Sequence, residues 1–163
     1  MFLDAGSKIK KYSNKIKIIP NGVDDDLFLN IDTKKTGEIV FSGNLKRFNE
    51  NRGLDFIINS FLNENMPEVY SLKIIGGPFS EVKKLEEHVS KLGLKHKIKF
   101  LGRLDRKLTI SNIESADIGL LINSSKNLHS LNYASPLKYF EYLFAEVKVV
   151  AVDFPSHRSL PFS

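Results

Sequence analysis

Short runs of β-branched and aliphatic residues alternate along this chain with stretches in which apolar positions recur every three or four residues. The runs predict strands over 16–19, 38–42, 71–75, 98–101, 118–122 and 147–152, most of them continuously apolar, as in strands covered on both faces. Leu54, Ile57, Ile58, Phe61 and Leu62 form one helical stripe. Val82, Leu85, Val89 and Leu92 form a second, which ends at Gly93, a residue suited to a helix C-terminus. A shorter helix is predicted over 107–116. Another begins after Ser135-Pro136, where Ser can cap and Pro suits the first helical position, with Leu137, Phe140, Leu143 and Phe144 as its stripe.

Strand, helix and strand in succession imply right-handed crossovers, so the predicted fold class is α/β, a doubly wound and mainly parallel sheet of Rossmann-like type. Ligands of such sheets bind beyond the carboxyl ends of the strands. Residues 19–35, with Pro20-Asn21-Gly22 and three successive aspartates, read as an irregular connector. This divides the chain into a segment 1–35 and a domain over 36–163. The chain stops soon after the last predicted strand, in a tail carrying Pro155 and Pro161, where a doubly wound domain would place another crossover helix. The expectation is therefore an incomplete domain, truncated at its C-terminus.

Composition narrows this picture. A chain of 163 residues, 42% hydrophobic and 26% charged, suits one folded domain. Cysteine is absent, which excludes disulfides, thiolate zinc sites and thiol nucleophiles and makes the cytoplasm the default compartment. The first residues lack the apolar core of a signal peptide, and no stretch of about 18 apolar residues could span a membrane. The net charge of +5 is concentrated in Lys8, Lys10, Lys11, Lys15 and Lys17, a bias that suits phosphates or an anionic membrane surface and leaves peripheral attachment at its inner face open. Aromatic residues do not interleave with the basic ones, so nucleic acid is not an expected partner.

Three loops carry candidate chemistry. In SGNLKRFNENRGLDF, Gly43 closes a strand and Arg52-Gly53 opens a helix with Lys46 and Arg47 between, which reads equally as a phosphate site or as a charged surface loop. Gly76-Gly77-Pro78 follows a strand but has neither the dinucleotide nor the Walker spacing, and by itself is a tight turn. In NYASPLKYFEY, Ser135, Lys138 and the free amides of a helix start make an anion site, with Glu141 one turn beyond Leu137. A carboxylate there can accept two ribose hydroxyls; the plainer reading is an exposed helix charge. His88, His96, His129 and His157 show no ligand spacing, and the aspartates 24–26 lack a calcium-loop pattern and read as turn caps. No catalytic group for bond cleavage is evident.

Taken in order, IIPNGVDDDLF, IVFSGNL with NRGLDF, LKIIGGP, KFLGRL and SPLKYFEY resemble the C-terminal, donor-binding domain of retaining glycosyltransferases of family 4, which have the GT-B fold. The resemblance covers nearly the whole chain and implies that residues before Pro20 end a missing N-terminal domain, which supplies acceptor contacts and any catalytic group. It places the donor diphosphate near Gly43, Asn44, Arg52, Gly77, Ser135, Leu137 and Lys138, the ribose on Glu141, and the base by Arg103 and Leu104. It implies a nucleotide diphosphate sugar as substrate, no cofactor or metal, and a saccharide or lipid-linked saccharide acceptor in surface polysaccharide or glycolipid synthesis.

The match is uneven. Asn44 stands where the family has Arg, leaving Lys46 or Arg47 to replace the charge or the diphosphate grip weaker. Arg52 stands for Lys, Tyr133 for the first of two glutamates, and Glu146-Val147-Lys148 for a glycine and proline turn. A silent nucleotide-binding or assembly module, or an epimerase or phosphorylase of GT-B build, are the competing readings. The fragment alone is expected to bind donor without turnover.

Overall fold

The computed structural model describes residues 15, 21–28, 37–47, 50–126, 128–132 and 134–160. Strand β1 (Glu38–Ser42) leads into a small antiparallel hairpin of β2 (Lys46–Arg47) and β3 (Glu50–Asn51), then helix α1 (Leu54–Ser60). Next come β4 (Ser71–Ile75), α2 (Phe79–Lys91), β5 (Ile98–Gly102), α3 (Arg106–Glu114) and β6 (Ile118–Leu121). The order closes with α4 (Leu128–Asn132), α5 (Leu137–Phe144), β7 (Lys148–Ala151) and α6 (Pro155–Arg158). Among the described residues β5-β4-β1-β6-β7 form one wholly parallel sheet in that order. The doubly wound α/β class is therefore observed, and five of the predicted strands fall within about a residue of their expected bounds. The strand predicted over 16–19 lies outside the described residues.

Alternation along the strands sorts the core into two faces. Ile39, Phe41, Leu72 and Ile74 pack with Leu54 and Ile58 of α1 and Val82 and Val89 of α2. Val40 and Ile75 point the other way, to Ile110 and Ile113 of α3 and Tyr142 of α5. Tyr142 fits because β6 carries Gly119 beneath it, where a Cβ would lie 2.6 Å from the ring. Phe28, just after a 3-10 turn at Asp25–Leu27, is buried against the second face and lies 4.6 Å from the ring of Phe144.

Four expectations need correction. The stripe read for α5 is only half right: Phe140 and Leu143 are partly buried against a cluster of Leu121, Tyr139 and Leu160, but Leu137 and Phe144 are exposed, and the buried residues are Tyr139, Glu141 and Tyr142. Ser135 does not cap that helix; the backbone of Pro136 is extended (ψ 122°), so Pro136 holds the N-cap position with no side-chain cap bond and the helix starts at Leu137. Strand β7 is not covered on both faces, since as a sheet edge it leaves Lys148, Val150 and Ala151 exposed. The supposed irregular tail forms α6, with Pro155 in its first turn, where a missing N–H costs nothing, and with Ser156 and His157 buried.

At the carboxyl ends the strands are laced together by backbone. Gly43 N donates to Ile75 O (2.9 Å), Leu45 N to Gly77 O (2.8 Å) and Gly76 N to Gly102 O (2.7 Å). The approach is so close that a Cβ on Gly76 would lie 1.8 Å from the carbonyl oxygen of Gly43. Backbone on both sides leaves nothing to rotate aside. Gly76→Ala is expected to cost roughly 3 kcal/mol or more, as overpacking that only a backbone shift relieves. Urea unfolding checks this against Gly22→Ala, where nothing lies within 4 Å of the added methyl and no change is expected.

Candidate functional site

In the strand order β5-β4-β1-β6-β7 the chain leaves β1 for one side and returns to β6 on the other, so the crevice beyond β1 and β6 is the topological switch point. Arg52 occupies it. Its Nε and Nη2 donate to the carbonyl of Ile122, just after β6, at 3.0 and 2.8 Å, and Nη1 donates to the carbonyl of Asn44, just after β1, at 3.3 Å. Its guanidinium carbon lies 5.4 Å from the Phe41 ring centre. The fork that could grip a phosphate thus staples the two strand ends, while its charge stays at the crevice.

The neighbouring loops join it. Asn44 is exposed, and its Oδ1 accepts from Arg103 Nη2 at 3.4 Å, so the residue that replaces a cation receives one from the next loop. Arg103 lies along Gly77, where a Cβ would stand 2.8 Å from Arg103 Nε. Leu104 turns into the second core cluster. Lys46 pairs with Glu81 at 3.0 Å, and Lys84 with the same oxygen at 3.1 Å, which holds that carboxyl below its usual range. Beside this pair a cavity of about 160 Å³ is lined by Arg52, Leu54 and Glu81 among others. A larger one, about 570 Å³, adjoins Lys95 and Ile98 at the start of β5, remote from the ligand end of a parallel sheet. The Arg47 side chain and Tyr133 lie outside the described residues.

The second group sits at the start of α5. Ser135 is exposed and its carbonyl accepts from Asn21 Nδ2 at 2.7 Å. Glu141 is not an exposed helix charge: it is 0% accessible, with Oε2 on Lys138 Nζ at 2.5 Å and Oε1 on Arg106 Nη1 at 3.3 Å. Arg106, missed in the sequence because only the tertiary fold brings it to α5, follows the Arg103 loop by three residues and ties the two groups together. His157 was also missed. It is buried, its Nδ1 meets Val152 O at 2.8 Å, and Nε2 has no hydrogen-bond partner. Among the described residues no three His, Asp or Glu side chains converge on a metal-sized site, and no helix is long and apolar enough to cross a membrane.

The sequence pattern of the family described as Glycosyl transferases group 1 matches residues 36–160, and the chain belongs to that family. No curated protein sequence matches it significantly. Among solved structures, HepE of Anabaena, in complex with UDP and glucose, is similar at 19% identity and a TM-score of 0.62, over 87% of this chain and 39% of HepE. WaaG, a glycosyltransferase involved in lipopolysaccharide biosynthesis, is similar at 17% identity and a TM-score of 0.62, over 90% of this chain and 40% of WaaG. The C-terminal domain of LpcC from Francisella tularensis shares 18% identity at a TM-score of 0.57, over 86% of this chain and 70% of that domain. The fold is thus that of one Rossmann-like domain of GT-B glycosyltransferases, and the chain spans about two fifths of the length of HepE and WaaG.

Burial, with a smaller contribution from the charge of Arg52, holds the His157 imidazole below its ordinary value of 6.5. The unfolded chain therefore takes up a proton at that pH when the folded chain does not. The contribution of His157 to stability is complete above 6.5 and lost as pH falls toward its folded value. Glu81 and Asp153, whose pKa values are lowered by lysine and arginine partners, lose their contributions only below ordinary values of 4.5 and 3.8. Urea midpoints followed downward from neutral pH to about pH 5 should drop less steeply for His157→Gln than for the parent. Equal slopes would remove His157 as the source.

Proposed function

We propose that the chain binds the nucleoside diphosphate of a sugar donor, and that the protein carrying it transfers the sugar to a saccharide or lipid-linked saccharide with retention at the anomeric carbon. The observation that carries this reading is Glu141, a carboxylate one turn beyond the first residue of α5, with no solvent access and two cations on it. Burying that charge is costly unless it is paired, and a site that does so has a use for the carboxylate. In this reading the ribose hydroxyls donate to Glu141. The diphosphate lies over the first amides of α5 near Lys138 and Arg52, with Gly43 and Gly77 allowing close approach, and the base sits by Arg103 and Leu104.

Transfer breaks the bond between the anomeric carbon and the phosphate oxygen and makes one to the acceptor oxygen, so negative charge grows on the departing diphosphate. The amides and cations at the α5 start stabilise that charge in place, which makes a metal ion unnecessary. No residue here is assigned to the bond-breaking step; the acceptor contacts belong to an N-terminal domain, and this chain alone is proposed to bind without turnover in the cytoplasm or at a membrane's inner face. Family membership supports the transferase class. Similarity to HepE, which is in complex with UDP and glucose, and to WaaG, which is involved in lipopolysaccharide biosynthesis, supports a nucleotide sugar and a surface glycan.

A silent binding module is favoured by one observation, the commitment of the Arg52 fork to Ile122. Calorimetric titration of the chain with UDP, GDP and ADP should show binding in the millimolar range or tighter. Glu141→Ala and Arg52→Ala should each weaken it about tenfold, the scale of one hydrogen bond to a charged group. No binding at millimolar nucleotide, or full binding by both variants, overturns the site.

A further inference from the structure

The two oxygens of Glu141 have different cations, and the cations are rooted differently. Lys138 stands one turn before Glu141 on the same helix, on a flexible stem, with the shorter contact and 27% of its side chain exposed against 46% for Arg106, so the difference lies in where each cation is rooted and not in exposure. Arg106 comes from the first turn of α3, whose start is fixed: Asp105 Oδ1 accepts from Leu108 N at 2.8 Å, and Thr109 Oγ1 donates to Asp105 O at 2.7 Å. Thr109 and Ile110, behind it, are buried. A cation in the first turn of a helix is disfavoured by the helix dipole, so the Glu141 partner offsets a local cost at Arg106.

A ribose diol needs acceptor positions on Glu141 that Lys138 now takes up in part, yet a buried carboxylate stripped of both cations would stand unpaired. One cation has to stay. From these placements we propose that Arg106 is the positioning residue of Glu141, retained on Oε1 throughout. Lys138 is the exchangeable partner, leaving Oε2 for the diphosphate as the ribose hydroxyls arrive. Ligand entry then trades one cation contact for two hydroxyl contacts, and the lysine freed by the ribose completes the anion site at the start of α5. The inference rests on the reading of Glu141 as the ribose acceptor and adds the order in which its partners are used.

The test compares UDP, GDP and ADP with their 2′,3′-dideoxy counterparts, and each diphosphate with its monophosphate, by calorimetry. In the parent chain the ribose form should bind about tenfold more tightly than the dideoxy form. Arg106→Gln should bring that ratio close to one while leaving the diphosphate-to-monophosphate ratio unchanged. Lys138→Gln should do the reverse. A merely structural role for Arg106 would weaken all ligands together and leave both ratios in place, which overturns the proposal, as does an unchanged ribose ratio in Arg106→Gln. Should that variant fail to fold, Arg106→Lys carries the test: the charge survives without the planar fork, so the ribose ratio should fall part way, and a parental ratio overturns the proposal. A parent chain that does not distinguish ribose from dideoxyribose sinks the ribose reading itself and this inference with it; a parent that does, with Arg106 variants that do too, sinks only the inference.

Discussion

The carboxyl edge of the sheet depends on one contact, the approach of Gly43 to Gly76, in which two strand ends meet with no side chain between them. Three backbone hydrogen bonds, across the ends of β1, β4 and β5, run through that contact. Side chains there would hold the loops apart; without them, Asn44, Gly77 and Arg103 come within hydrogen-bonding or van der Waals reach of one another. Rigid backbone under a loop cluster is the requirement for a site that must hold geometry, since loops otherwise have the freedom to wander.

On the other side of β1 the same end of the sheet is closed by a side chain instead. Arg52 crosses from the loop after β1 to the carbonyl after β6, doing with a guanidinium what the glycines do with amides. A lysine, with one point charge and no fork, could not hold the Ile122 carbonyl through two donors at once. The arginine at this position therefore has a structural reason as well as an electrostatic one. Its charge contributes beyond the loop, depressing the proton affinity of His157, although burial of that ring is the larger cause.

Much of this was legible in the sequence, for definite reasons. Strands of a parallel sheet are apolar on both faces, so β1, β4 and β6 announced themselves as runs, and the 3.6-residue period of Val82, Leu85, Val89 and Leu92 fixed α2. Gly43 and Arg52 were named from the loop that follows a strand, and Asn44, Gly77 and Arg103 entered through the family resemblance; contacts join these residues around the switch point. Less visible was anything set by tertiary pairing. Arg106 carries no local signal of its partner on another helix, and α4 and α6 are too short to show a period. His157 read as a scattered histidine because its burial comes from packing around Phe154 and α6, which no local spacing encodes.

Helix α5 shows why the misreading of its stripe is informative. Apolar periodicity assigns Leu137 and Phe144 to the core, yet both are exposed, while Glu141 is wholly enclosed between Tyr139 and Tyr142 in sequence. Tyr142 can sink because Gly119 makes room for its ring, and that rotation of the helix carries its neighbour Glu141 inward with it. The phenol is pushed above its ordinary range by burial, with the adjoining carboxylate adding to the rise, so Tyr142 stays neutral beside the enclosed charge. A helix selected for stability alone would turn its leucine and phenylalanine in and its glutamate out. The hydrophobic pattern is overridden at the cost of enclosing a charge, and cations from two helices keep that charge paired, an arrangement of the kind the ribose-binding role proposed for Glu141 would require.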